Sequence, residues 1–286
     1  MVESKHSKFP LWLKRRMSAN PGYLETERIL SELGQQTICT NANCPNKGLC
    51  WEAGTAAVLI LGNICTRDCK FCSVGHGKPE YIDKEEPDRI CEMVRQLKLK
   101  YLVITSVTRD DLADGGAQHF CDVIEKCRKD NKQLEFELLV PDFKNCQEQA
   151  ISILGKSLPF VFGHNIETVP RLYSEVRSGA DYQKSLELLK RFKQSYGEVQ
   201  TKSSIMLGLG EREDEIVKCL EDLRGAGCDR IAIGQYLKPD KTSVDVVEFI
   251  EPEKFEWWAA KAKELGFTWV MSSPFTRSSY HAEVKF

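Results

Sequence analysis

From about residue 55 onward, short apolar runs alternate with charged stretches whose apolar positions recur at helical spacing. Six runs, Ala57–Leu61, Tyr101–Ser106, Phe136–Val140, Phe160–His164, Ser203–Leu207 and Arg230–Gln235, are rich in Val, Ile, Leu and Phe. Several are apolar almost throughout, which predicts parallel strands covered on both faces. Pro87–Leu97, Ala117–Arg128, Tyr182–Ser195 and Glu213–Gly225 carry the helical pattern, and Gly225 and Gly227 stand where a C-terminal cap belongs. Strand–helix units in succession imply repeated right-handed βαβ crossovers. The expected architecture is α/β, a partial TIM-like (β/α)6 barrel with N-terminal and C-terminal extensions. Residues 1–55 would form the first extension, 56–251 the barrel, and 252–286 a C-terminal helix and closing tail. An open doubly wound sheet gives the same local signals, so periodicity alone leaves it standing. Polar or glycine-rich residues follow the apolar runs at Asn63–Cys65, Thr105–Asp111, His164–Glu167, Gly208–Glu211 and Gly234–Tyr236. In a barrel, chemistry gathers at such strand ends.

Composition changes this picture little. A chain of 286 residues, 42% hydrophobic and 29% charged, can bury a substantial core. A net charge of −2 excludes a general attraction to nucleic acid or to anionic membranes. No apolar run approaches the roughly twenty residues that span a bilayer. The start lacks a hydrophobic signal core, so secretion is not expected, and Lys5, Lys8, Lys14, Arg15 and Arg16 make it a mildly basic, solvated arm. The expected location is the cytoplasm, or a mitochondrion or plastid if a transit sequence has been removed.

The cysteines change it a great deal. The chain has 12 cysteines and no export signal, which points to a reducing compartment. Half of them form two triplets, Cys39-x4-Cys44-x5-Cys50 and Cys65-x3-Cys69-x2-Cys72. Structural zinc favours paired C-x2-C elements that close a four-ligand shell, so two triplets with unequal spacings argue for iron–sulfur clusters. Three thiolates on a four-iron cubane leave one iron without a cysteine. The other cysteines, Cys91, Cys121, Cys127, Cys146, Cys219 and Cys228, are expected to be small buried hydrophobes. The five histidines are dispersed, and His76 and His281 are expected at the surface.

The stretch Cys65-Thr-Arg-Asp-Cys69-Lys-Phe71-Cys72 resembles the signature of the radical S-adenosylmethionine (radical SAM) enzymes. Three further segments narrow the likeness: the first triplet through Cys50-Trp-Glu, the block Tyr101–Ala117, and the terminal Arg277-Ser278-Ser279-Tyr280. In this order they resemble the lipoyl synthases, from about Trp12 to Ala282. That resemblance implies two [4Fe–4S] clusters and S-adenosylmethionine as cofactors. In radical SAM enzymes the sulfonium is cleaved to a 5′-deoxyadenosyl radical, which abstracts hydrogen. In lipoyl synthases this leads to sulfur insertion at C6 and C8 of a protein-bound octanoyl-lysine.

By the same resemblance, Cys65, Cys69 and Cys72 would hold the cleaving cluster. Cys39, Cys44 and Cys50 would hold the auxiliary, sulfur-donating one, with Ser279, before Ser278, as its fourth ligand. Phe71, Ser106, Asn165, Glu167, Arg177 and Gln235, most of them at strand ends, are candidate contacts for S-adenosylmethionine. Arg177 suits a carboxylate because its fork is bidentate. The implied partners are an octanoylated lipoyl domain of a 2-oxoacid dehydrogenase or the glycine-cleavage carrier, reduced flavodoxin or ferredoxin, and an iron–sulfur carrier. Thr40 and Asn41 stand where two glutamates are usual, and Ser272–Thr276 is a more polar lead-in than expected. Neither departure removes a ligand. Two rivals remain: another two-cluster sulfur inserter, of biotin-synthase or methylthiotransferase type, and a non-enzymatic iron–sulfur or metal-binding module.

Overall fold

The computed structural model describes residues 9–14 and 20–284. Lys5, Lys8, Arg15 and Arg16 of the basic arm lie outside the described residues. The N-terminal extension holds α1 (Pro21–Glu32), α2 (Ile38–Asn41) and α3 (Lys47–Glu52). Asn20 caps α1, its side chain accepting from the Tyr23 amide at 3.0 Å, and Pro21 occupies the first helical position. Then come β1 (Val58–Ile60), β2 (Ile64–Cys65), β3 (Gly75–His76), α4 (Glu86–Gln96), β4 (Tyr101–Ser106) and α5 (Ala117–Asp130). β5 (Glu135–Leu139), α6 (Gln147–Leu154), β6 (Val161–Gly163), α7 (Tyr173–Val176), α8 (Tyr182–Ser195) and β7 (Gln200–Leu207) follow. The chain closes with α9 (Glu213–Gly225), β8 (Arg230–Gln235), α10 (Pro252–Glu264) and β9 (Trp269–Ser272).

Seven strands make one parallel sheet in the order β1-β4-β5-β6-β7-β8-β9. This order never reverses, whereas a doubly wound sheet must reverse at its switch point. The sheet is therefore the curved wall of a partial barrel. Its seventh strand, β9, lies in the segment expected to hold only a helix and tail. β7 begins at Gln200 rather than Ser203, because the polar residues Thr201 and Lys202 are buried in the sheet. Lys202 ends in an ion pair with Glu137 at 2.8 Å, and Tyr101 donates its hydroxyl to the same carboxylate at 2.8 Å. These charges sit at the N-terminal end of the barrel, away from the strand ends that carry the chemistry.

The open side of the barrel is covered by both extensions. Thr37 forms an antiparallel bridge to Val58 on the free edge of β1. Ala282 of the tail packs against Ala57 and Val103, while Trp269 Nε1 donates to the Val284 carbonyl at 2.9 Å. Cys91, Cys121, Cys127, Cys219 and Cys228 are buried in the core, as their small apolar side chains predict, and Cys146 is half-buried. Among the described residues, no helix is long and apolar enough to cross a membrane.

Candidate functional site

A cavity of about 400 Å³ opens at the C-terminal ends of the strands. That size suits a small-molecule site. Cys65, Cys69 and Cys72 all line it. Their loop leaves the sheet after β1 and is bracketed by the short parallel pair β2 and β3, so both of its ends are tied together. Backbone amides point at the sulfurs: Arg67 and Thr108 donate to Cys65 Sγ at 3.4 and 3.3 Å, and Val74 to Cys72 Sγ at 3.5 Å. Such N–H···S contacts orient cluster ligands and tune their potential. Burial pushes the Cys69 thiol up to about 11 and Cys72 up to about 12. A cationic metal centre here would compensate the charge and favour the thiolate forms.

The middle of this loop is anchored by Arg67. Its guanidinium makes a fork to Asp142 with both bonds at 2.7 Å and a second fork to Asp110 with both at 2.8 Å. Asp110 follows β4 and Asp142 follows β5, so one side chain locks the cysteine loop to two strand ends. Burial opposes charge on Asp142, but the hydrogen bonds and charge of Arg67 more than offset it and hold its carboxyl below the usual range.

The first triplet approaches the same cavity from the N-terminal extension. Cys39 lies on α2, where the Thr37 side chain accepts from the Thr40 amide at 3.3 Å, and Cys44 lies in the turn that follows. Both line the cavity. Cys50, on α3, is half-buried and is not among the lining residues. Ser278 and Ser279 enter from the tail and line the cavity too, and Ser278 Oγ is buried with no hydrogen-bond partner. Among the described residues, no three His, Cys, Asp or Glu side chains converge on a single-ion site. Cluster ligands each bind a separate iron and stand further apart than ligands of one ion. A soft thiolate set at one end of a roomy cavity fits such a cluster better than it fits a lone cation.

Of the expected contacts to S-adenosylmethionine, Phe71, Ser106, Asn165, Glu167 and Arg177 all line the cavity. Ser106 Oγ and Asn165 Oδ1 are buried there without partners. A buried polar atom without a partner is costly, and a polar ligand in the cavity supplies one. Glu167 has φ +68°, a left-handed conformation that a side chain seldom adopts. Its backbone is fixed there by bonds with Ser204 and Met206 of 3.0 and 2.8 Å. Burial raises the Glu167 carboxyl, while Arg177, Asn165 and Arg277 oppose the rise. Arg177 is engaged by the Tyr173 hydroxyl at 2.9 Å, Ser185 Oγ at 3.1 Å and His164 Nε2 at 3.3 Å. Burial and the Arg177 charge push His164 down to about 3, so its neutral ring accepts from Arg177 while Nδ1 donates to the Val140 carbonyl.

Gln235 is set apart from these five. It is fully buried, but its amide donates to the Tyr236 and Glu248 carbonyls at 3.0 and 2.9 Å and accepts from Ile250 at 2.8 Å. Both ends of the amide fasten the loop after β8, and the residue is absent from the cavity lining. Gly208–Glu211 also turns on itself, with Leu209 donating to Glu211 Oε2 at 2.9 Å. Arg67, Tyr236 and Arg277 line the cavity without having been named as candidate contacts there. Arg67 had a signal, its place between two cluster cysteines. Tyr236 had none beyond following an apolar run.

The Radical SAM superfamily profile matches residues 59–223. The lipoyl synthase of Caldicellulosiruptor saccharolyticus is 49% identical over 277 residues, covering 97% of this chain and 97% of that protein. That of Syntrophotalea carbinolica is 48% identical over 276 residues, 96% of this chain and 89% of that one. This chain belongs to the lipoyl synthase family of radical SAM proteins. Identity at this level over nearly the whole length sets aside both rivals, the other sulfur inserters and the bare metal module. Among solved structures, Streptococcus suis SuiB bound to S-adenosylmethionine superposes with a TM-score of 0.59 at 11% identity, over 80% of this chain and 52% of that one. HydG from Carboxydothermus hydrogenoformans gives 0.56 at 13% identity, over 87% and 70%. At such identities these two speak for the fold alone, and they agree with the expected partial barrel.

Proposed function

We propose that this protein acts as a lipoyl synthase, inserting sulfur at C6 and C8 of a protein-bound octanoyl-lysine. The observation that supports it most is the meeting of both cysteine segments and the serine tail at one cavity. Cys65, Cys69 and Cys72 would hold the cluster that cleaves S-adenosylmethionine. Cys39, Cys44, Cys50 and Ser279 would hold the auxiliary cluster. A hydroxyl oxygen is a harder ligand than a thiolate, so that corner is the easier one to release. Bound together, the clusters and S-adenosylmethionine supply the hydrogen-abstracting radical and the sulfur.

The chain's own residues position and enclose. Ser106 and Asn165 offer their unpartnered oxygens to the ligand's polar groups, Glu167 faces its cationic amino group, and Phe71 packs beside it. Arg177, with its fork already engaged, contributes positive charge more than a carboxylate clamp. Gln235 fastens the loop after β8 instead of touching the ligand. Residues 1–55 carry the auxiliary triplet, 56–251 the radical chemistry, and 252–286 the serine ligand. The partner is an octanoylated lipoyl domain of a 2-oxoacid dehydrogenase or the glycine-cleavage carrier. Reduced flavodoxin or ferredoxin supplies electrons, an iron–sulfur carrier rebuilds the auxiliary cluster, and the compartment is the cytoplasm.

Metal analysis tests the two-cluster basis. Protein reconstituted without oxygen is expected to hold about eight irons and eight sulfides, falling to about four of each when Cys65, Cys69 and Cys72 are all replaced by alanine. Zinc in place of iron, or a second triplet whose loss removes no iron, would overturn the reading.

A further inference from the structure

Asn46 lies between two cysteines of the first triplet, in Cys44-Pro45-Asn46, and is fully buried. Its side-chain amide donates to the Phe275 carbonyl at 2.7 Å, a contact between opposite ends of the chain. Phe275 opens the segment that reaches Ser278 and Ser279. The residues just before it run close along β8, with the backbone N–H of Ser273 donating to the Ile233 carbonyl at 3.2 Å and that of Gln235 to the Pro274 carbonyl at 3.1 Å. Gly234 makes this approach feasible, because a Cβ there would stand 2.1 Å from the Thr276 carbonyl oxygen. Beyond the serines, Ala282 is buried against Ala57 and Val103, and Val284 is bound by Trp269. The strap is thus fastened on both sides of the serine pair. Its bonds to β8 fix it to the barrel, and the Asn46 bond fixes it to the auxiliary loop.

We propose that Asn46 is a positioning residue that seats the Ser278–Ser279 strap against the auxiliary cysteine triplet. It is not among the residues that line the cavity. It sets the distance between thiolates carried by the N-terminal extension and a hydroxyl carried by the tail, two segments that reach the cavity from different sides. Loss of the bond leaves a buried carbonyl without that donor, and the strap opens more readily. The inference rests on the proposed serine ligation, but its first test does not.

That test is hydrogen exchange on the metal-free chain. In Asn46→Ala, the amides of residues 276–280 are expected to exchange roughly five- to tenfold faster than in the wild type. Gly234→Ala, which pushes the strap off β8 while leaving Asn46 intact, is expected to accelerate the same amides. Thr26→Val serves as the control. It removes a buried hydrogen bond to the Trp51 carbonyl, 2.7 Å, within the same extension and away from the tail, so exchange at 276–280 stays at the wild-type rate. Unchanged exchange in Asn46→Ala, or equal acceleration in Thr26→Val, would overturn the proposal.

The second readout is the electron paramagnetic resonance spectrum of the reduced auxiliary cluster, in protein whose Cys65, Cys69 and Cys72 are alanines. Asn46→Ala is expected to shift that spectrum in the direction of Ser279→Ala. A wild-type spectrum in Asn46→Ala beside a shifted one in Ser279→Ala overturns the positioning role. Unshifted spectra in both Ser278→Ala and Ser279→Ala overturn the proposed serine ligation instead, and the exchange result still decides whether Asn46 seats the strap.

Discussion

Cys69→Ala is expected to end cleavage of S-adenosylmethionine, lowering 5′-deoxyadenosine release by roughly a thousandfold or more. On the proposed ligation the cleaving cluster would have three protein ligands, so losing one would leave two irons without a thiolate. Asp68 is drawn off by Lys70 and His76, and a carboxylate is a hard donor that iron–sulfur clusters disfavour. Iron content is expected to drop by about four per chain, because the first triplet keeps its own cluster. Cys69 lines the cavity and is not part of the hydrophobic core cluster, so the thermal midpoint of the metal-free chain is expected to move by about 2 °C or less. Nucleoside chromatography, iron assay and a melting curve read these three quantities. Wild-type nucleoside release in the variant would remove Cys69 from the cluster.

Arg67→Ala is expected to destabilise the fold by about 3–5 kcal/mol and, with it, to weaken S-adenosylmethionine binding. The size follows from what the change leaves behind. Arg67 and Asp142 have side-chain exposures of 7% and 0%, so removing the guanidinium strands a buried carboxylate. Asp110, 32% exposed, can turn to water and adds little. Arg67→Lys keeps the charge but loses both forks, and is expected to fall between the two.

The pH dependence has a definite sign. With its carboxyl held below the usual range, Asp142 contributes stability above about pH 4, the ordinary carboxylate value, and that contribution is lost as pH falls through its lowered value. The deficit of Arg67→Ala against the wild type is therefore largest near neutrality and shrinks below about pH 4. Urea unfolding of the metal-free proteins at pH 7 and at about pH 3, below the ordinary carboxylate value, measures it. Equal deficits at both values would contradict the clamp.

The strands most easily read from the sequence are those buried on both faces, because an apolar run such as Leu102–Ile104 has no other explanation. β9 was not legible. Trp269–Ser272 is short, ends in a serine, and follows a helix in a segment that resembled a tail. The true start of β7 was hidden by Lys202, whose buried charge is paired with Glu137, a residue far away in the chain. The cysteine triplets were legible because spacing is a local property. The clamp on Arg67 joins three separate segments, so no single stretch announces it, although Asp110 stood inside a block already singled out. Gln235 shows the opposite limit. A polar residue at a strand end can face the cavity or fasten the next loop, and only the positions of Tyr236, Glu248 and Ile250 decide which. Asn46 sat in plain view between two cysteines of the first triplet, yet its partner lies at the other end of the chain.

The most direct test of the central claim is the mass of an octanoyl-lysine peptide after anaerobic incubation with the reconstituted protein, S-adenosylmethionine and dithionite. The account predicts a product carrying two added sulfurs, formed alongside 5′-deoxyadenosine. An unchanged peptide, in protein shown to hold both clusters and to release 5′-deoxyadenosine, would contradict it and assign the radical chemistry to another substrate.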